Sequence, residues 1–310
     1  MPAARSRNPI IPANTKDRTG GMPILRRAIR DINARFAGLQ VDVLAIFDRI
    51  PVYSANEVDM ARTLYGMTPD EMAATSQALG ESLDRWIAQG RETAHTAWWA
   101  AYDEEATQLG TAQSVANLTH LSEVYASSRA LHDVVYSTPY RNRVAMSQIK
   151  SYDHWTGLAA TTRSELSQII GRAVVDGKNP KAVRTEIMER LDVGRSKAAQ
   201  FAQTDITDTL RQARWAESDY ATEQFGLDIR MLWTSALLPT TRPTHAAKNG
   251  KVLTTGEVRE FYSKDGNRYR CHCGQTECLV DAEGKPILTD GLKAKMKAEK
   301  DAWQKASLNV

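Results

Sequence analysis

The sequence predicts a mostly α protein: an N-terminal multi-helix region, then a small α+β domain with short strands, then a C-terminal helix. Three observations carry that expectation. Apolar residues recur at spacings of three and four through most of the first 225 positions, the period switches to two after Gly226, and all three cysteines fall within Cys271–Cys278.

At 310 residues the chain is long enough for two domains with sizeable cores. Its composition, 42% hydrophobic and 25% charged, is that of a soluble globular protein, and no apolar run approaches the roughly 18 residues needed to cross a bilayer. Neither a membrane anchor nor a secretory signal peptide is expected. A net charge of +3 is too small to imply nucleic acid, but the charge is uneven. Arg5, Arg7, Lys16, Arg18, Arg26, Arg27, Arg30 and Arg35 face only Asp17 and Asp31. That basic arm suits nucleic acid or an acidic protein surface, with a solvated tail as an equal alternative. An odd number of cysteines disfavours a disulfide framework and favours a reduced compartment or a metal.

Residues 1–20, with Pro2, Pro9, Pro12 and Gly20, read as an extended basic arm. A helical region over 21–150 opens with Leu25, Ile29, Ile32, Phe36, Leu39, Val43, Ile46 and Ile50, a heptad seam ending at Pro51 that must be buried against another helix. Intramolecular packing is favoured over self-association because more helices follow. Thr68-Pro69-Asp70-Glu71 is a capping box opening a helix through Met72, Leu79, Leu83, Trp86 and Ile87, closed by Gly90. The next helix is expected through Trp98, Trp99 and Tyr102 to Gly110, and Val115–Val135 is helix-compatible. Ser137-Thr138-Pro139 breaks the pattern, which resumes near Arg143.

Residues 151–225 form a helical lead-in. Leu158, Leu166, Ile169, Ile170 and Val174 run to Asp176-Gly177, Asn179-Pro180 restarts a short helix with Val183, Ile187 and Leu191 inside, and a long helix runs from Ser196 to Gly226. Residues 226–290 form the α+β domain. Leu227–Trp233 alternates as a half-buried strand, with further strands expected at Val252, Val258–Tyr262, Tyr269–Cys273 and Cys278–Val280, and Asp265-Gly266 as a hairpin turn. Residues 291–310 form a helix with Leu292, Met296 and Trp303 on one stripe, interrupted by Glu299.

In a strand Cys271 and Cys273 share a face, and a Gly274–Glu277 loop would return Cys278 beside them. With His245 as fourth ligand, and His272 second choice, this is a tetrahedral structural zinc set. Two other readings stay open: buried thiols as plain packing, and a Cys273–Cys278 disulfide. Catalysis by a Cys–His pair is the weakest. His95, His120, His132 and His154 show no ligand spacing. No phosphate loop, H-x-x-x-H or paired carboxylate motif is present, and no enzyme activity is expected.

Trp233-Thr234-Ser235, Thr241-Arg242-Pro243-Thr244-His245, Asn249-Gly250 and the C-x-C of Cys271 and Cys273 follow a long helix in fixed order. In that order, over roughly Leu158–Val280, the chain resembles the phage Mu protein F-like minor head proteins, or phage head morphogenesis proteins. The family's Arg-Thr-Glu triplet is Gln203-Thr204-Asp205 here. Its loop aspartate and arginine are Leu238 and Thr240, which removes the carboxylate partner expected for His245. The resemblance implies a minor structural protein of a tailed-phage head that associates with portal or capsid protein and acts in head morphogenesis and in DNA packaging or ejection. It implies a virion location, in the head interior or at the portal vertex, after assembly in the host cytoplasm, with packaged DNA as a further partner. The competing classes are a nucleic-acid-binding zinc module and a phage-encoded enzyme or toxin domain.

Overall fold

A computed structural model describes residues 8–54, 63–88, 94 and 96–307. Arg5 and Arg7 of the expected arm, with Gly90 and His95, lie outside the described residues. The helices and strands run in the order α1 (Met22–Asp48), β1 (Val52–Ser54), β2 (Thr63–Tyr65) and α2 (Pro69–Leu83), which a π-helical turn continues over Asp84–Ala88. Then come α3 (Ala100–Leu121), α4 (Glu123–Ser128), α5 (Leu131–Val135), α6 (Thr138–Asp176) and α7 (Pro180–Phe225). The C-terminal part holds β3 (Ile229–Thr234), α8 (Pro243–Ala246), β4 (Val252–Leu253), α9 (Thr255–Ser263), β5 (Gly274–Leu279) and α10 (Asp290–Ser307). The architecture is mostly α with two small sheets and a C-terminal helix, as the sequence periods predict.

These elements form two compact units, one from Met1–Leu25, Tyr102–Ser147 and Gln203–Val310, the other from Arg26–Ala101 and Gln148–Ala202. The expected boundary at 150 falls inside α6.

In the second unit the capping box at Thr68 and Glu71 starts α2 as expected. Asp42 of α1 accepts from Ser82 and from the Trp86 indole at 2.8 Å, and Gly38 lets that indole lie on α1, since a Cβ there would fall 2.4 Å from the ring. Of the expected seam, Ile32, Phe36, Leu39, Val43 and Ile50 are buried, but Leu25, Ile29 and Ile46 are only half-buried. The innermost line instead uses Ile24, Ala28 and Phe47 at the ends, with spacings of four, four, four, three, four, four and three. That mean spacing exceeds the heptad's 3.5, as a straight helix in globular packing requires.

Other corrections have equally local causes. No break separates a short helix from a long one near Ser196: α7 is continuous, and Gly194 inside it accommodates the Phe36 ring, 3.1 Å from where a Cβ would stand. Trp98 and Trp99 precede α3 in a turn, edge-on to each other and packed on Trp155. The Val115–Val135 stretch divides among the end of α3, α4 and α5.

In the first unit Gly110 does not end a helix. It sits inside α3 because the α7 backbone passes there: a Cβ at Gly110 would lie 2.2 Å from the Leu210 carbonyl oxygen. Ser137-Thr138-Pro139 starts α6 rather than breaking the chain, Ser137 Oγ capping the Tyr140 N–H at 3.3 Å. The sheet has the order β4-β3-β5, antiparallel throughout, with Trp233 opposite Gln275 and Arg230 opposite Cys278. Val258–Tyr262 is helical, not a strand, because Thr254 and Glu257 form a second capping box. Asp265-Gly266 turns the chain without a hairpin, and Tyr269–Cys273 is irregular.

Candidate metal centre

The site is built on both sides of β3. Just past its end, the Ser235 hydroxyl donates to the His245 carbonyl at 2.6 Å and accepts from the Trp233 indole at 3.1 Å. The Ser235 N–H is taken by Asn249 Oδ1 at 2.9 Å, whose amide nitrogen donates to the Met296 carbonyl of α10. The Trp-Thr-Ser and Asn-Gly motifs are therefore scaffold: they fix the single turn α8 that carries His245. Between them the Leu237 backbone is left-handed (φ 50°), and the Leu238 carbonyl accepts from the Trp303 indole at 2.8 Å.

The cysteine loop is pinned by its carbonyls. Arg211, buried on α7, donates to the Cys271 and Cys273 carbonyls at 2.8 and 2.9 Å and lies over the Tyr262 ring. From the other direction the Arg18 N–H donates to the His272 carbonyl, and Gly274 is obligatory because a Cβ would fall 2.0 Å from the Arg18 oxygen. Arg270, just before the cysteines, is held left-handed at φ 53°, a conformation disfavoured for a residue with a Cβ.

His245 Nδ1 stands 3.3 Å from Cys271 Sγ and 3.8 Å from Cys273 Sγ. The three ligand atoms lie within 4.8 Å of one another, a group able to hold a metal ion. Tetrahedral zinc with ordinary bond lengths sets nitrogen and sulfur about 3.6 Å apart, which these distances bracket. The ring's other nitrogen faces Asn267 Oδ1 at 3.3 Å, and the Asn267 amide is oriented by its own bond to the Phe261 carbonyl. A metal on Nδ1 would require the ring proton on Nε2, directed at Asn267, whereas a guanidinium donating to Nε2 would require it on Nδ1. Arg242 Nη1, 3.1 Å from the same nitrogen, also donates to the Asn267 carbonyl.

Burial alone would raise the Cys271 thiol, but hydrogen bonding with Cys273, the Arg211 charge and His245 outweigh it and hold Cys271 well below the ordinary thiol value. Cys273 moves the opposite way, pushed up by its hydrogen bond with Cys271 and by burial. Cys271 Sγ also receives the Cys273 N–H at 3.4 Å and meets the Tyr262 hydroxyl at 3.4 Å. Gln275 donates to that hydroxyl, which leaves its proton for the sulfur. The pocket thus offers one sulfur ready to bind a cation and a second whose proton a metal must displace.

Cys278 does not join them. Gly274–Leu279 is a strand, not a returning loop, and a rise of about 3.3 Å per residue carries Cys278 away from Cys273. Strand parity also places it on the other face. Met231 and Trp233 pack with Cys271 and Cys273, whereas Leu232 packs with Cys278, Leu288 and Met296. There burial pushes the Cys278 thiol up to about 12. All three cysteines are free, which removes the Cys273–Cys278 disulfide. His272 lines the same cavity but has its ring 2.7 Å from the Gln203 amide, so the first residue of the family triplet supports the loop rather than the metal.

The basic arm is not a free cationic strand where it is described. Arg18 is 8% exposed, pairs with Glu299 of α10 at 3.1 Å, and so explains the acid interrupting that helix's stripe. Arg26 is exposed and Arg27 half-buried, both on α1. The supporting residues that sequence reasoning missed are Arg211, Tyr262 and Asn267, together with a buried pair behind β5. In that pair Glu277 receives Arg214 at 3.1 and 2.5 Å, Ser114 at 2.8 Å and Asn117 at 2.9 Å. Burial works against the Glu277 charge, and Arg214 outweighs it, lowering the carboxyl below its usual range. Two arginines three apart on the inner face of a long helix were the available signal.

A family model described as Phage Mu protein F like protein matches residues 164–276. No curated protein and no solved structure matches the chain. The matched segment supports the resemblance drawn from the sequence motifs. It contains His245, Cys271, Cys273 and Arg211 and stops short of Cys278.

Proposed function

We propose that this chain is a minor structural protein of a tailed-phage head, acting in head morphogenesis through contact with portal or inner capsid protein and in DNA packaging or ejection, and that it has no turnover of its own. The observation that carries the reading is a coincidence of two boundaries. The family match over 164–276 encloses the His245, Cys271 and Cys273 cluster and the helix that braces it, so the shared segment is a built scaffold.

Within that scaffold the metal is zinc: two thiolates and an imidazole form a set that suits it. His245, Cys271 and Cys273 would hold it, and the ion would supply a cross-link between α8 and the cysteine loop. At this site the absence of turnover is supported by size. The cavity that the three groups line is about 30 Å³, whereas small-molecule sites run to several hundred Å³.

The location follows from the assembly role: the virion, in the head interior or at the portal vertex, with assembly in the host cytoplasm. The test compares particles made with and without the chain for composition, DNA content and infectivity, alongside elemental analysis of the purified protein. Altered particles with one zinc per chain are expected. Normal particles with normal ejection would overturn the assembly role, and a robust activity removed by one pocket substitution would replace it with catalysis.

A further inference from the structure

Three protein donors leave a tetrahedral ion one position short. We propose that the ion held by His245, Cys271 and Cys273 keeps its fourth position open, filled by a water that a small anion displaces. The proposal rests on the zinc reading above.

The geometry supplies the position. Among the described residues the group with metal-ligand atoms in range stops at these three. All three line one cavity of about 30 Å³, and a single water requires roughly 10–15 Å³ by the same kind of measure. The other walls are Leu238, Thr240, Thr241, Arg242, Arg270 and His272. His272 is the one further nitrogen ligand among them, and Gln203 holds its ring.

The electrostatics supply the ligand class. A divalent ion with two thiolates is neutral, so the charge around the open position is set by the arginines. Arg211 lies beneath the loop on the Cys271 and Cys273 carbonyls, and Asp208 of the same helix is among the charges that face it, so the uncompensated charge is that of the cavity wall. Arg242 and Arg270 stand at the cavity wall, and no acidic side chain pairs with either among the described residues. Arg242 is locked by the Asn267 and Tyr269 carbonyls, at 2.9 and 2.6 Å, which orient its guanidinium without neutralising it. A fixed positive wall beside a neutral metal favours a monoanion over water. Thr241 Oγ accepts the Leu238 N–H at 2.8 Å, which leaves its proton to donate to such a ligand.

The experiment uses the full chain loaded with cobalt(II), whose visible d–d bands report the coordination sphere and whose near-ultraviolet sulfur charge-transfer bands report the two thiolates. Azide is the titrant. The expected result is a saturable shift of the d–d bands with the charge-transfer bands kept. His272→Ala should still take up cobalt with both sulfur charge-transfer bands kept, since His272 is not a ligand, and Arg270→Gln should weaken azide roughly fivefold, the loss of about 1 kcal/mol. Cobalt that binds but ignores azide, with His272→Ala altering its spectrum, shows a closed site and overturns the open position alone. A chain that takes up neither cobalt nor zinc overturns the zinc reading and this inference with it.

Discussion

The side chain of Ser235 and the backbone carbonyl of His245 share a 2.6 Å hydrogen bond that ties the α8 turn to the end of the central strand. Both groups are buried, so removing the hydroxyl strands a carbonyl away from water. Ser235→Ala is expected to lower stability by about 1–3 kcal/mol and to weaken zinc, because α8 loses its anchor. Denaturant midpoints and a zinc competition titration measure both; unchanged zinc affinity would show that His245 is positioned by something else.

The sign of a glycine substitution should depend on where it lies. A methyl group added at Gly157 on α6 would meet nothing within 4 Å, so Gly157→Ala is expected to stabilise by about 0.5–1 kcal/mol through helix propensity. Gly110→Ala meets the Leu210 carbonyl and is expected to cost about 1–3 kcal/mol. Thermal melts of the two variants decide it, and a stabilised Gly110→Ala protein would mean that α3 and α7 separate easily.

Glu277 predicts an acid-sensitive step. Its folded carboxyl is depressed, so its contribution is fully present above the unfolded glutamate value of about 4.3 and is lost as pH falls through the lower folded value. Glu277→Gln should cost about 3–5 kcal/mol, since Arg214 is left buried without its counter-charge, and should flatten stability against pH below that value. Equilibrium unfolding between neutral and acid pH checks the slope; a variant with the parent's slope removes Glu277 from the account.

Burial along α1 reverses the order that the heptad gives two neighbours, since the heptad puts Ile46 in the seam and leaves Phe47 out. Phe47→Ala should cost about 3–5 kcal/mol and Ile46→Ala clearly less, because Phe47 is buried and Ile46 half-buried. Ile32→Asp is expected to prevent folding or assembly by burying an unpaired charge. A larger loss at 46 than at 47 would restore the heptad register.

Most of the helices were legible because a buried stripe on a helix leaves its period in the sequence, as in α2 and at the end of α6. What escaped depended on partners distant in the chain. Gly110 reads as a helix ender, and a helix start is placed at Ser196 just past Gly194, because nothing local reveals Leu210 or Phe36 lying against those glycines. Thr254 and Glu257 form a capping box that the strand expected at Val258–Tyr262 left unread, although Val258 and Tyr262 are one helical turn apart. At the site, His245, Cys271 and Cys273 were identifiable from residue type alone. Cys278 was misplaced because four residues taken for a loop are a strand, and strand parity sends every second side chain to the opposite face.

That parity leaves Cys278 as a silent recorder. With its thiol pushed up to about 12 by burial, Cys278 carries far less reactive thiolate at pH 7 than it would once the chain is open. Alkylation at Cys278 is therefore expected to accumulate only as the packing of Leu288 and Met296 over it opens, while alkylation at Cys271 and Cys273 would follow the occupancy of the proposed ion. One chain carries two independent clocks, readable by mass in a single digest.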